Sequence, residues 1–174
     1  MSRILLADDS SHAQRIGESI LREEGFEVVS VTDGETAVVR LADVDPDVVL
    51  ASVLLPRRNG YEICRYVKEH LRQRHTRVVL TAGALDPLDE EEARKVQADA
   101  SIRKPFEATL LLQTLKPLVE AAQREREQLA SIAGEALAQP DSDVVRAAVT
   151  LALDSAFPKL VEEITLRVVG SLKR

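Results

Sequence analysis

The sequence predicts an α/β protein in which a five-stranded, doubly wound parallel sheet is followed by a helical extension. Short apolar runs alternate with stretches of helical periodicity up to about residue 116, and this order is typical of a parallel sheet with helices on both faces. The run at residues 4–7 is continuously apolar, as expected for a strand buried on both sides. Beyond Pro117 the chain is helical in pattern, with no strand signals.

The predicted elements follow one another in order. Strands are predicted at residues 4–7, 27–31, 47–52, 78–81 and 100–103. Ser10 or Ser11 can cap the first helix, which Gly25 ends, and Asp33 with Gly34 opens the second. Further helices are predicted at about 61–72, at about 88–97 and from residue 106 onward, where Pro117 would kink or restart the last one.

Composition narrows the class of protein. The 174 residues are 45% hydrophobic and 30% charged, which suits a soluble globular chain. A net charge of −6 argues against general nucleic-acid binding, which needs a basic face. The start turns acidic too early for a signal peptide, and no apolar run is long enough to span a membrane. A single cysteine, Cys64, suits a reducing cytoplasm, and we expect it to be a small buried residue.

Polar side chains follow four of the predicted strands. These are Asp8 and Asp9, Ser52, Thr81 and Lys104. Ligands of doubly wound sheets bind at the carboxyl ends of the strands, where these residues would meet. An acidic pair can hold Mg²⁺, and a lysine with a hydroxyl suits a phosphate-like anion. The alternative for the acidic pair is a solvated loop that caps a helix.

Four motifs carry a resemblance to a known family. They are ILLADDS, PDVVLASVLLPRRNGYEIC, VVLTAG and ADASIRKPF. Over about residues 2–120 the chain resembles the receiver domain of bacterial two-component response regulators, which implies a flavodoxin-like, CheY-like fold. In that family the acidic pair binds Mg²⁺ and an aspartate ending the third strand takes a phosphoryl group from a histidine kinase. The matching threonine and lysine here, Thr81 and Lys104, would contact the phosphoryl oxygens.

The phosphoacceptor position of the family falls on Ser52. The family typically reads D-V-x-x-P there, whereas this chain reads SVLLP, and neither Asp47 nor Asn59 can take the place of the acceptor. A serine hydroxyl is a weak nucleophile without a base, and none of the three histidines is predicted beside it. The resemblance also implies the loss of a third carboxylate from the metal site. We therefore expect that no cofactor is required and that Mg²⁺ binds weakly if it binds.

Three further positions bear on the switch and its partners. The family usually places a tyrosine or phenylalanine where this chain has Ser101, so the aromatic half of the switch is missing too. Lys104 can then pair with an acidic side chain and become purely structural. Arg57 and Arg58 either bind an acidic partner or an anion, or form a solvated loop.

The segment 121–174 resembles no family that we identify. It has no basic recognition helix and no enzyme signature. Its apolar stripe is a candidate surface for a partner or a homodimer, with a small intramolecular hairpin as the alternative; the stripe consists of Leu160, Val161, Ile164, Val168 and Leu172.

These observations predict two parts, a receiver domain at 1–120 without its phosphoacceptor and a helical extension at 121–174. The favoured interpretation is a phosphorylation-independent pseudo-receiver that binds other signalling proteins in the bacterial cytoplasm, not nucleic acid. The alternative is a receiver still switched by Mg²⁺, an anion or phosphorylation through Asp8, Asp9, Thr81 and Lys104. An enzyme is not predicted, because the sequence shows no catalytic constellation.

Overall fold

The computed structural model describes residues 2–138, with side chains up to residue 133. Its five strands are β1 (Arg3–Ala7), β2 (Glu27–Val31), β3 (Val48–Ser52), β4 (Arg77–Ala82) and β5 (Ala100–Arg103). Its helices are α1 (Ser11–Glu23), α2 (Gly34–Val44), α3 (Gly60–Glu69), α4 (Glu90–Lys95) and α5 (Ala108–Ala138), with a 3₁₀ turn at Leu71–Gln73.

The strands form one parallel sheet in the order β2-β1-β3-β4-β5. The strand order reverses beside β1, so the connections after β1 and β3 leave on opposite sides and open a crevice at the carboxyl ends of these strands. The fold predicted from the sequence is therefore confirmed.

Both faces of the sheet are covered, which explains the continuous apolar strands. Along β1, Leu5 faces the core under α2 and α3, whereas Ile4 and Leu6 face the core under α1 and α5. Helix α3 fills the first core with Ile63, Cys64 and Val67. Helix α5 fills the second core with Leu111, Leu115 and Val119.

Two helices are shorter than predicted. Helix α4 begins only at Glu90, because the Asp89 side chain accepts the N–H groups of Glu91 and Glu92 as its cap. It ends before Gln97, whose positive φ of 59° is incompatible with a continuing helix. Helix α3 ends at Glu69, and the chain passes into the 3₁₀ turn.

Helix α5 continues through Pro117 without a restart, although the sequence predicted a kink or a restart there. An internal proline removes one backbone hydrogen bond at a cost of roughly 3 kcal/mol. Buried residues on both sides of it, Leu115 and Val119 with Ala122 one turn further, hold the helix against the sheet. Packing thus outweighs the local propensity to break.

The chain divides into two compact units, Met1–Glu127 and Gln128–Arg174. The predicted apolar stripe from Leu160 to Leu172 lies outside the described residues. Within residues 2–138, no helix is both long enough and apolar enough to cross a membrane.

Candidate functional site

The crevice begins at Asp8, which directly follows β1 and is completely buried. One carboxylate oxygen, Oδ1, accepts the backbone N–H of Ser10 at 2.9 Å, and the Ser10 side chain caps α1. The amide of Gln14 donates to the Asp8 carbonyl oxygen at 2.6 Å. Asp9, the second member of the acidic pair, is exposed. The support from Gln14 could not be predicted from the sequence, because nothing in the local pattern shows where a long side chain will reach.

Ser52 and Thr81 lie side by side at the ends of β3 and β4. Ser52 is 1% exposed and Thr81 is fully buried. The Thr81 hydroxyl has no hydrogen-bond partner within the structure. Helix α3 begins at Gly60, directly against the Ser52 backbone, because a Cβ at Gly60 would lie only 2.8 Å from the Ser52 carbonyl oxygen. The phosphoacceptor position is therefore tightly enclosed.

Lys104 closes the crevice from β5. Its backbone N–H donates to the carbonyl of Ala82 at 2.7 Å, and its peptide bond to Pro105 is cis. The ammonium lies 2.8 Å from Oδ2 of Asp8 and 3.4 Å from Oγ of Ser52. The structure thus brings together three of the residues predicted from strand ends, of which Lys104 is 96 positions away from Asp8 in the chain.

The charged and polar groups of Asp8, Ser52 and Lys104 favour a structural ion pair over a reactive centre. The Asp8 carboxylate is fully buried and the Lys104 side chain is 14% exposed, so the two charges balance one another with little help from water. The Ser52 hydroxyl faces the ammonium, which donates a proton and cannot act as a base. His70 and His75 lie at the opposite end of α3 and just before β4, so neither is placed to activate the serine.

The side chains fit a divalent cation poorly. Both oxygens of Asp8 are engaged by donors, Ser10 and Lys104, and Ser52 supplies no carboxylate. Across residues 2–133, no group of three His, Cys, Asp or Glu side chains is arranged to hold a metal ion. Asp9 is the one carboxylate of the acidic pair that faces solvent. Mg²⁺ would therefore have to displace the lysine from Asp8 to gain a second carboxylate.

The loop after β3 folds back on α2. Arg57 adopts a positive φ of 68°, and its guanidinium lies 3.5 Å from Oδ1 of Asp33 and 3.9 Å from Oε2 of Glu35. Hydrogen bonds from Thr36 and the nearby Arg57 charge lower the pKa of the Asp33 carboxyl. Arg57 thus has acidic neighbours within its own chain, while Arg58 is exposed. Partner binding by either arginine stays a prediction.

Two other predicted positions lie away from the crevice. Ser101 is exposed on β5 and lines a shallow groove with Leu88 and Ala93. Cys64 is buried as expected, and its thiol contacts the carbonyl of Val96 at 3.2 Å. Burial raises the pKa of this thiol to about 12, so Cys64 is a packing residue at neutral pH.

Comparison with known proteins agrees with this geometry. Residues 4–116 match the family model described as the response regulator receiver domain. The chain is 28% identical to Protein PilG of Pseudomonas aeruginosa over 114 residues, which cover 66% of this chain and 84% of that protein. It is also 28% identical to the DNA-binding response regulator MtrA of Mycobacterium tuberculosis over 144 residues, covering 83% of this chain but only 62% of MtrA.

A solved structure is similar across the same region. It is the receiver domain of the sensor histidine kinase PA1611 from Pseudomonas aeruginosa, with a magnesium ion coordinated in its active-site cleft. The TM-score is 0.62 at 25% identity, covering 68% of this chain and 98% of that one. Three findings lead to one conclusion: the order of the parallel strands, the crevice at Asp8, Ser52 and Lys104, and the family match over most of the first unit. The chain belongs to the response regulator receiver family of bacterial signal transduction.

Proposed function

We propose that this receiver is a phosphorylation-independent module that binds other signalling proteins. The observation that supports this most directly is the enclosed Ser52 hydroxyl, 3.4 Å from an ammonium that is already paired with Asp8 at 2.8 Å. The acceptor position holds a neutral hydroxyl whose described side-chain partner is the Lys104 ammonium and not a base, in a place that is 1% exposed. A phosphodonor would find neither a carboxylate nucleophile nor an unpaired lysine.

The same geometry supports a constant surface. A buried ion pair that is satisfied in the resting protein gives the fold one preferred arrangement, so partners would meet the same receiver surface whether or not a phosphodonor is present. We propose that the protein is not an enzyme, needs no cofactor and acts in the cytoplasm. The stripe from Leu160 to Leu172 remains our candidate for a homodimer contact.

Nucleic acid is not among the partners that we propose. MtrA is described as DNA-binding, but this chain spans only 62% of the length of MtrA and carries a net charge of −6. Phosphate binding by proteins depends on clustered positive charge. We therefore propose proteins, not DNA, as the partners.

Intact-mass spectrometry after incubation with acetyl phosphate and Mg²⁺ tests phosphorylation directly. We expect the natural chain to gain no phosphoryl group, because Ser52 lacks an activating base. The matched variant Ser52→Asp restores a carboxylate at the same position and should gain one. Incorporation at Ser52 in the natural chain, or a change in its shape with beryllofluoride, would contradict the proposal.

A second candidate function rests on Thr81. Among the described residues this buried hydroxyl has no hydrogen-bond partner, so it is available to a small anion that also draws Lys104 away from Asp8. The site would then still respond to Mg²⁺ or an anion without covalent phosphorylation. NMR titration of the full chain with MgCl₂ and with inorganic phosphate distinguishes the two functions. Saturable shifts at Thr81 and Lys104 favour the second, and Ser52→Asp should bind Mg²⁺ more tightly than the natural chain.

A further inference from the structure

A polar cluster lies at the amino-terminal edge of the sheet, opposite the crevice. Three residues near the end of the first unit reach down from α5 to this edge. Gln123 donates to the Ser2 hydroxyl at 2.8 Å. Glu125 accepts a hydrogen bond from Arg77, at the start of β4, at 2.7 Å. Arg126 enters the cluster itself. This turn of α5 is therefore attached to the sheet by polar contacts.

Arg126 makes most of these contacts. Its Nη2 atom donates to the carbonyl oxygen of Asp45 at 2.8 Å and lies 3.3 Å from Oδ2 of the same residue. Its Nη1 atom lies 3.1 Å from Oδ1 of Asp47. Its Nη2 atom also lies 2.8 Å from Nε2 of His75, which is a hydrogen-bond distance.

Two contacts of Nε2 of His75 call for opposite protonation states of the ring. A guanidinium has only donors, so the contact with Arg126 is a hydrogen bond only while Nε2 carries no hydrogen. A proton on Nε2 would set two donors and two positive charges 2.8 Å apart. The protonated ring has another partner at hand, because Oδ1 of Asp45 lies 3.2 Å from the same nitrogen. Protonation of Nε2 thus removes one hydrogen bond of Arg126 and favours Asp45 as the partner of the ring.

Losing Arg126 would have a consequence in the core. The Asp47 side chain is buried, and its Oδ2 atom accepts the backbone N–H of Arg3 at 2.9 Å. Its Oδ1 atom has no well-aligned hydrogen bond and relies on the charge of Arg126. Release of Arg126 would therefore leave Oδ1 of the buried Asp47 carboxylate without its nearby positive charge, and this cost favours the closed contact while His75 is neutral.

We propose that neutral His75 latches residues 123–127 of α5 onto the edge of the sheet, and that protonation of the ring releases them. This device goes beyond the proposed function, since it involves no residue of the crevice. It makes the attachment of α5 to the sheet depend on pH, and α5 is the helix that contains the boundary between the two units.

The charges around His75 agree with a neutral ring in the closed state. Burial, followed by the Arg126 guanidinium, lowers the pKa of His75 from its ordinary 6.5. Asp45 and Asp47 oppose this from the segment before β3, and Glu125 opposes it from α5. Arg3 of β1 offsets part of the Asp45 charge at 3.2 Å. The net direction is downward, so opening takes up a proton.

Hydrogen exchange of the full chain, followed by mass spectrometry between about pH 7.5 and about pH 5, tests the latch. After correction for intrinsic exchange, uptake of one proton raises the opening constant of residues 123–127 by up to about tenfold per pH unit below 6.5. Peptides from residues 108–116 should not change in this way. Equal protection of residues 123–127 at both ends of the range would overturn the proposal.

Two variants separate His75 from other histidines. In His75→Gln the amide oxygen still accepts a hydrogen bond from Arg126 but does not titrate. The protection of residues 123–127 from hydrogen exchange should therefore become independent of pH. The control His12→Gln changes an exposed histidine on α1 and should behave like the natural chain. A pH response that persists in His75→Gln excludes the latch.

If His75→Gln does not fold, NMR of the natural chain still tests the role of His75. The ¹⁵N shifts of the His75 ring should show an unprotonated Nε2 at neutral pH. The ring should also titrate together with the loss of α5 protection. A proton on Nε2 at neutral pH, or two separate midpoints, would overturn the proposal.

Discussion

Replacing Lys104 with methionine tests whether this lysine is a structural partner of Asp8. Methionine keeps an unbranched side chain and removes the ammonium. In the structure the Lys104 side chain is 14% exposed and that of Asp8 is 0% exposed, with 2.8 Å between the charged atoms. The substitution therefore leaves a buried carboxylate whose remaining donor is the backbone N–H of Ser10.

The expected cost follows from burial. Breaking a buried ion pair by removing one partner costs about 3–5 kcal/mol of unfolding free energy. The chain offers a matched control at nearly the same distance, Lys116 with Glu24 at 2.9 Å, whose side chains are 56% and 37% exposed. Because water solvates that pair, Lys116→Met should cost only about 0–1 kcal/mol.

Urea unfolding of the natural chain and the variants measures both costs, with the slope checked for each variant. The double variant Asp8→Asn with Lys104→Met removes both charges and should recover much of the lost stability; with the single variant Asp8→Asn as the fourth corner of the cycle, the coupling should be about 2 kcal/mol or more. If Lys104→Met costs no more than Lys116→Met, Asp8 is stabilised by groups other than Lys104 and the two do not form a structural ion pair.

Three further predictions concern the rest of the first unit. Gly34→Ala should destabilise the loop after β3, because the new Cβ would lie 1.9 Å from the carbonyl oxygen of Arg58, and thermal unfolding will show it. Cys64 should react with a thiol reagent at pH 8 only after unfolding, since its pKa is about 12. The pKa of His75 is lower in the folded chain than in the unfolded chain, so unfolding at low pH binds an extra proton. The unfolding free energy should therefore fall as pH drops below 6.5, by up to about 1.4 kcal/mol per pH unit. In His75→Gln the unfolding free energy should depend less on pH.

The strands were predictable because each carries its own evidence. A continuous apolar run between turn residues indicates a doubly buried strand without knowledge of its neighbours, and β2 and β5 begin and end at the predicted residues. Helix ends were less predictable. The end of α4 depends on the positive φ of Gln97, and the continuity of α5 through Pro117 depends on packing against the sheet.

The crevice was predictable in position but not in detail. Parallel strands share one carboxyl edge, so Asp8, Ser52, Thr81 and Lys104 had to converge once the strands were identified. Which of them would touch depends on side-chain reach and burial. A structural Lys104, the interpretation favoured from the sequence, agrees with its contact with Asp8, whereas the pairing of Arg57 with Asp33 was not anticipated.

Local pattern and residue identity are enough to predict the alternation of strands and helices, the edge at which polar residues meet, and the serine at the acceptor position. The pairing of Lys104 with Asp8 and the contact of Arg126 with His75 become visible only once the chain is folded. Both pairs join residues far apart in the chain. Distance and burial set the strength of such contacts, and neither exists until the helices have packed on the sheet.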